Sequence, residues 1–189
     1  MTESETSFEE IRDAFIDQWG AMGGAWGINR TMAQIHALLM VSAEPLCCDA
    51  VMHELSISRG NANTNLRELV NWGLVRTVTV RGSRKDFFEA EKDVWKIFCA
   101  ISRERKRREI DPALAVLESC RSRATESGHP EAAEFTRMIT DLTEFLSLTS
   151  QVMESVSRTD RGVVMPAALK LLGRRAGSSH KPGTTAEAD

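Results

Sequence analysis

Apolar and polar positions are most regularly spaced between Ser58 and Gly73. One face of this segment is apolar at helical spacing: Ala62, Leu66, Leu69 and Val70. The opposite face is small or polar: Gly60, Asn61, Thr64 and Arg67. Ser58 is a favourable N-cap and Gly73 stands where a helix stop is expected. The asparagines Asn61, Asn63 and Asn65 each cost roughly half a kcal/mol of helix propensity against alanine, which indicates a use beyond folding.

A shorter helix is predicted just before this one, from about Cys47 or Asp49 to Leu55. Val51 and Leu55 stand at i and i+4 in it and are expected to pack on the second helix. Residues 56–58 leave a connection of the length that a helix-turn-helix requires. The two helices are therefore predicted to form that motif.

A hairpin is predicted directly after the second helix. Residues 74–80, LVRTVTV, alternate and are rich in Val and Thr, which favours a strand. Residues 81–85, RGSRK, form a turn that contains glycine, and Phe87 and Phe88 begin a returning strand. A hairpin in this position is a wing.

The charge of the same region differs from that of the whole chain. Residues 56–86 hold six basic side chains against Glu68 and Asp86, a balance of +4, whereas the chain of 189 residues carries −3. A basic patch in an acidic protein is typical of nucleic-acid binding.

Helices with apolar stripes flank this region. The first is predicted over 8–22, where Gly20, Gly23, Gly24 and Gly27 end it in a flexible corner, and the second over 30–41. A long helix over 91–120 contains Pro112, which marks a kink or a restart. A final helix over 131–156 carries a broad apolar stripe. That stripe packs either on the 91–120 helix or on a second subunit, and the dimer is favoured because a twofold DNA site requires symmetry. Residues 163–172 form a short last helix, and 173–189 have the composition of a disordered tail.

Other classes of protein lack support in the sequence. The four histidines are scattered and no catalytic motif is present, so we expect no enzyme, no cofactor and no metal site. Cys47 and Cys48, with His53 nearby, are expected to be structural rather than a metal or redox sensor. No run approaches a membrane span and the N-terminus is acidic, which predicts a cytoplasmic protein.

The segment from Ile35 to Phe98 resembles the MarR-type winged helix-turn-helix regulators of bacteria and archaea, most of all their GbsR-like branch. The stretches SRGNANTNLRELVNWGLV and GSRKDFFEAE carry most of the resemblance. Strong motifs cover about a third of the chain, and the helical flanks extend the likeness loosely to residue 155. The pair Cys47-Cys48 departs from the small polar residues expected at the start of the first helix of the motif.

The resemblance implies a homodimer bound to double-stranded DNA. The helix from Ser58 to Asn71 would then enter the major groove. The residues expected to read or position bases are Asn61, Thr64 and Arg67, and those nearer the backbone are Ser58, Arg59 and Asn63. The wing-tip residues expected at phosphates or the minor groove are Arg81, Ser83, Arg84 and Lys85.

The resemblance also implies an effector pocket between the winged domain and the dimer helices. Trp19, Trp26 and Trp95 flank that junction, and an aromatic cage there would suit a small osmolyte-related cation. The competing interpretation, that these tryptophans belong to the core, is the favoured one.

The sequence thus predicts a mainly α protein with a small β wing, a winged helix-turn-helix domain plus long dimerisation helices. The expected domains are an N-terminal helix and corner (1–29), the DNA-binding domain (30–90), dimerisation helices (91–160) and the tail (173–189). The expected function is a sequence-specific, homodimeric transcriptional regulator, with repression favoured over activation and a response to an effector left open. The alternative is a winged helix that binds protein without reading DNA sequence. The operator, the regulated genes and the effector are not readable from these residues.

Overall fold

The computed structural model describes residues 7–158. Its helices are α1 (Phe8–Ala25), α2 (Arg30–Val41), α3 (Cys48–Leu55), α4 (Arg59–Asn71), α5 (Val94–Arg105), α6 (Asp111–Ser127) and α7 (Ala132–Arg158). Its strands are β1 (Leu46–Cys47), β2 (Val75–Thr79) and β3 (Asp86–Ala90). The chain divides into two compact units, one ending at Arg105 and the other beginning at Lys106. The predicted class, mainly α with a small β wing, is confirmed. The helix predicted over 163–172 and the tail over 173–189 lie outside the described residues.

Helix α1 begins at a capping box and packs along α2. The Glu10 N–H donates to Ser7 Oγ at 3.2 Å, and the Ser7 N–H donates to Glu10 Oε2 at 2.9 Å. The prediction that glycines end this helix near residue 22 was wrong, because it continues to Ala25. Gly20 and Gly23 are buried within it, and a Cβ on Gly23 would lie 2.5 Å from Ala33 Cβ. These glycines therefore allow α1 and α2 to approach closely.

The helix-turn-helix has the boundaries that the sequence predicts. Ser56 adopts a left-handed conformation (φ 51°) at the end of α3, which turns the chain toward α4. Ser58 caps α4, and its Oγ accepts from the Asn61 N–H at 3.3 Å. At the other end Gly73 (φ 72°) lets the Leu74 N–H donate to the Leu69 carbonyl at 3.0 Å, a Schellman closure. The predicted cap and stop are both confirmed.

The core of the first unit lies beneath α4. Its fully buried side chains come from three helices: Ile35, Leu38 and Leu39 of α2, Val51 of α3, and Leu66 and Leu69 of α4. Burying a side chain of this size stabilises the fold by about 1.5–3 kcal/mol. The apolar face predicted for α4 therefore fixes which way its polar face points.

The wing is a hairpin with one additional strand. Strands β2 and β3 pair antiparallel, with Thr77 opposite Phe88. Strand β1 pairs with the other edge of β3, with Leu46 opposite Phe88, so the order is β1-β3-β2. The sequence did not predict β1, because two residues are too few for an alternating pattern.

The single helix predicted over 91–120 is two helices. Helix α5 ends at Arg105, a π-helical segment spans Lys106–Ile110, and α6 starts at Asp111 with Pro112 in its first turn. Proline has no N–H and its ring collides with the carbonyl four residues earlier, so a regular helix cannot continue through it. The sequence left a kink or a restart at Pro112 open, and the backbone enters α6 through the π-helical segment, with Ile110 itself in the α region (φ −77°, ψ −51°).

The second unit is built around the pair of α6 and α7. Gly128, with φ 62°, ends α6 where the break was predicted. Among the described residues of α7 only Ile139 is buried, and one side of the helix leaves six large apolar side chains exposed: Phe135, Met138, Leu142, Phe145, Leu148 and Val152. Across residues 7–158 no helix has the length and apolar content needed to cross a membrane.

Candidate nucleic-acid interface

The polar face of α4 is open to solvent. Its exposed members are Ser58, Arg59, Gly60, Asn61, Thr64 and Arg67, whereas Asn63 is half-buried. Since Ala62 and Leu66 are fully buried on the opposite side, this face is held outward by packing. Six of the seven positions predicted to face away from the core or toward DNA are thus freely accessible.

Asn65 has a structural role instead. It is only 7% exposed, and its Nδ2 donates to the Asn61 carbonyl at 2.9 Å and to Asn61 Oδ1 at 2.6 Å. The inference that all three asparagines serve a use beyond folding is therefore wrong for Asn65. Because Asn61 Oδ1 accepts this hydrogen bond, the Asn61 amide is oriented and its nitrogen remains available as a donor.

The six basic side chains of residues 56–86 fall into two groups. Within residues 7–158, Arg67, Arg81 and Arg84 have no ion-pair partner. The others are paired: Arg76 with Glu89 at 2.7 Å, Arg59 with Asp49 at 2.5 Å and Lys85 with Asp49 at 2.8 Å. Half of the basic patch is thus available without breaking an internal contact.

Asp49 is the residue of this surface that sequence reasoning missed. Hydrogen bonds from Lys85 and Arg59 lower the pKa of its carboxyl, and the same contact with Asp49 raises the pKa of Lys85. Asp49 and Lys85 are therefore both charged at neutral pH. When Asp49 and Glu89 are counted with the 56–86 window, six basic and four acidic side chains leave +2 rather than +4. The partners lie ten and 36 residues apart, so no local pattern indicates them.

Ser83 shapes the wing tip. Its Oγ accepts from the Lys85 N–H at 3.1 Å, and its own N–H donates to the Val80 carbonyl at 3.1 Å. The half-buried hydroxyl is thus engaged within the turn, while Arg81 and Arg84 remain exposed on either side of it.

An apolar cavity of about 200 Å³ lies behind α4 in the first unit. Three tryptophans line it, Trp19, Trp26 and Trp72, together with Phe98. Trp95, which the sequence grouped with Trp19 and Trp26, is not among the lining residues and packs on Phe98 at 5.5 Å between ring centroids. Trp72, which the sequence did not indicate for this site, is a lining residue.

His36 is the polar side chain of this cavity wall. It is 3% exposed, and its Nε2 has no hydrogen-bond partner among the described residues. Burial lowers the pKa of His36 to about 4, so the imidazole is neutral at physiological pH. None of the described residues that line the cavity is an Asp, Glu, Lys or Arg. The cavity therefore suits a small molecule whose surface is largely apolar or binds to aromatic rings.

The cysteines and acidic groups give no indication of a metal centre. Among the described residues there is no cluster of three or more His, Cys, Asp or Glu side chains able to hold an ion. Cys47 and Cys48 are half-buried, and burial raises the pKa of the Cys48 thiol, which disfavours the reactive thiolate.

Comparison with known proteins gives relatives of one kind. The chain is 26% identical over 116 residues to the HTH-type transcriptional repressor GbsR of Bacillus subtilis (strain 168), covering 61% of this chain and 64% of that protein. It is 22% identical over 96 residues to the putative HTH-type transcriptional regulator YvaV of the same strain, covering 51% of this chain and 54% of that protein. The matches thus span between half and two thirds of these relatives. No family model matches the chain.

A solved structure supports the same fold. A crystal structure of a transcriptional regulator superposes with a TM-score of 0.63 at 21% identity, covering 78% of this chain and 95% of the other. An agreement of this extent establishes the architecture. The chain is similar to the GbsR-like helix-turn-helix regulators, and its fold is the winged helix-turn-helix of a transcriptional regulator.

Proposed function

We propose that this chain is a sequence-specific DNA-binding transcriptional regulator that acts in the cytoplasm as a homodimer and represses transcription. The observation that carries the proposal is a helix-turn-helix whose second helix and wing present Arg67, Arg81 and Arg84 without internal ion pairs among the described residues. The relatives named as HTH-type regulators, one of them a repressor, support it.

In the proposed complex α4 lies in the major groove. Arginine and asparagine bond base edges there in pairs of hydrogen bonds, and threonine contacts either an edge or a methyl group. The base-reading residues are Asn61, Thr64 and Arg67, with Ser58, Arg59 and Asn63 nearer the backbone. The wing residues Arg81, Arg84 and Lys85 hold phosphates or the minor groove, while Ser83 keeps the turn in shape.

A fluorescence-anisotropy titration with upstream DNA fragments at two salt concentrations tests the proposal. We expect some fragments to bind more tightly than others, and all binding to weaken as salt rises because phosphate contacts release counterions. Arg67→Ala should cost about 1–3 kcal/mol on a selected fragment and little on random DNA. Arg76→Ala is the matched control, because Arg76 is held by Glu89. No binding at low salt, by a dimer that is intact, would leave a protein-binding winged helix as the function.

The second subunit is proposed to cover α7. Phe135, Met138, Leu142, Phe145, Leu148 and Val152 follow a spacing of three and four residues, the seam of a helix that packs on another helix. They are 43–66% exposed in the single chain. Large apolar side chains in a continuous stripe are typical of an interface rather than of a solvated face.

Leu142→Lys tests this interface. A lysine in the seam must be buried without a partner, so we expect monomers in light scattering at micromolar concentration. Gln151→Lys adds the same charge to an exposed position of α7 outside the stripe and should leave the dimer intact. Dimers of unchanged stability in Leu142→Lys would refute the assignment.

We further propose that the cavity behind α4 holds a small effector. Its volume is somewhat above that of an engineered cavity of about 150 Å³ that accepts benzene. Trp19, Trp26 and Trp72 line it, and aromatic rings attract a quaternary ammonium group, while His36 Nε2 has no partner among the described residues. Tetramethylammonium and the uncharged tert-butanol have nearly the same shape, so a comparison of the two isolates the charge. Quenching of tryptophan fluorescence and a change in DNA affinity with the cation alone would support the aromatic cage, and Trp95→Phe should leave the response unchanged.

A further inference from the structure

Asp49 connects α4 to the wing through one carboxylate. Its Oδ1 accepts from Arg59 Nη2 at 2.5 Å, and its Oδ2 accepts from Lys85 Nζ at 2.8 Å. Arg59 is the first residue of α4, Lys85 stands at the end of the wing turn, and Asp49 lies in the first turn of α3. Three elements of the DNA-binding region therefore meet at this one anion.

The contact lies on the surface. The side chains are 39% exposed for Asp49, 63% for Arg59 and 61% for Lys85. In the proposed complex these two cations approach the phosphate backbone, so the carboxylate stands where the DNA is also negative. To bind a phosphate, each cation must leave Asp49 or share its hydrogen bonds with it.

Three other cations of the surface do not face this competition. Arg67, Arg81 and Arg84 have no ion-pair partner among the described residues, so a phosphate or base meets them directly. Phosphate contacts act on all sequences alike, whereas base contacts set specificity. Asp49 thus acts on the part of the affinity that carries no sequence information.

We propose that Asp49 is a counter-charge that competes with DNA phosphate for Arg59 and Lys85, and so lowers the affinity of this surface for DNA of any sequence. The inference rests on the proposed DNA binding. A regulator must find few sites among a large excess of non-specific ones, so a limit on phosphate affinity reduces the fraction of protein held elsewhere.

Asp49→Asn keeps the shape of the side chain and removes its charge. An exposed ion pair corresponds to a factor of about 1.4 to about 5 in an equilibrium constant. With two pairs released, we expect binding to random duplex DNA to tighten by about twofold to about 25-fold at low salt. Binding to a selected fragment should tighten by the same factor. The slope of log K against log salt should steepen by about 0.9 for each further phosphate that the released cations neutralise.

Glu54→Gln is the matched control. Glu54 is a second carboxylate of α3, and it pairs with Arg12 of α1 at 2.9 Å rather than with the recognition helix or wing. The substitution makes the same change in net charge on the same helix. We expect a change in DNA affinity below about twofold, because the substitution releases no cation of α4 or the wing.

A triple variant separates competition from general charge. When Asp49→Asn is made in a chain that already carries Arg59→Gln and Lys85→Gln, the gain in affinity should disappear, because the cations that it would release are gone. A gain that persists would show that Asp49 repels DNA directly rather than through these two residues, and would overturn the proposal.

The alternative is that Asp49 only braces the wing against α4. In that case Asp49→Asn would weaken DNA binding or leave it and its salt slope unchanged. Elution from heparin, a polyanion without base sequence, gives a readout that needs no operator. If Asp49→Asn elutes later than the parent chain while neither protein binds any DNA fragment, the proposed DNA function fails while the competition for anions holds. Unchanged elution together with unchanged DNA affinity would overturn the inference alone.

Discussion

The buried imidazole of His36 makes the stability of the first unit depend on pH. Its pKa in the folded chain is about 4, against 6.5 for an unperturbed histidine, because burial disfavours the charged form. Above pH 6.5 the group is neutral in both folded and unfolded chains, and its contribution is complete. As the pH falls from 6.5 toward 4, the unfolded chain binds a proton that the folded chain does not, and stability is lost.

The magnitude follows from the two pKa values. Between pH 7 and pH 5 the difference in proton binding lowers the free energy of unfolding by about 2 kcal/mol. The loss approaches its limit only below pH 4, where the folded chain also takes up the proton. His36→Phe replaces the imidazole by a ring that does not titrate, and it also removes the Nε2 atom that has no partner among the described residues. Its stability at pH 7 should lie within about 1 kcal/mol of the parent chain.

Urea denaturation followed by circular dichroism at pH 7, 6 and 5, at one protein concentration, gives the difference directly. Other titrating groups are common to both proteins, so their contributions cancel when the two pH profiles are subtracted. The remaining difference should reach about 2 kcal/mol at pH 5, with the parent chain the less stable. Parallel profiles would refute the claim that His36 is buried in its neutral form.

Three further substitutions test how the helices are held. Gly23→Ala should destabilise the fold by about 1–3 kcal/mol, because its methyl group collides with α2. Gly24→Ala has open space around it and should stabilise the fold by up to about 1 kcal/mol. Thermal unfolding must therefore show shifts of opposite sign for the two variants. Lys92→Met removes three donations to carbonyls at the end of α2, at 2.6–3.3 Å, and should cost about 1 kcal/mol in denaturant titrations, while Lys96→Met should cost little. Ser56→Gly relieves a left-handed conformation and should raise the melting temperature, which an equally stable or weaker variant would contradict.

The helix-turn-helix was predictable because its determinants are local. The Ser58 cap, the stop at Gly73 and the apolar face of α4 all act within one or two helical turns, and the structure has each where the sequence indicates. The same holds for the hairpin, whose alternation and turn residues are adjacent in the chain. Periodic patterns of this kind specify an element and its buried face together.

The features that escaped prediction depend on distant residues. Gly20 and Gly23 are glycines because α2 passes close to them, and a glycine run alone looks like a helix end. Asn65 is a local exception, because its partner Asn61 is four residues away on the same helix. Trp72 lines the cavity and Trp95 does not, a distinction set by how α1, α2, α4 and α5 enclose the space rather than by spacing along one helix.

The pairing of charges on this surface was also not predictable from the sequence, and it bears on function. A count over residues 56–86 treats six basic side chains as equivalent, whereas folding pairs three of them with Asp49 and Glu89. The cations without an ion pair among the described residues are then divided between two elements, Arg67 on α4 and Arg81 and Arg84 on the wing. In the proposed complex the helix reads bases and the wing reaches the backbone, so we expect specificity and general affinity to depend on different residues. Substitution at Arg67 should therefore change which sequences bind, whereas substitution at Arg84 should change how strongly all of them bind.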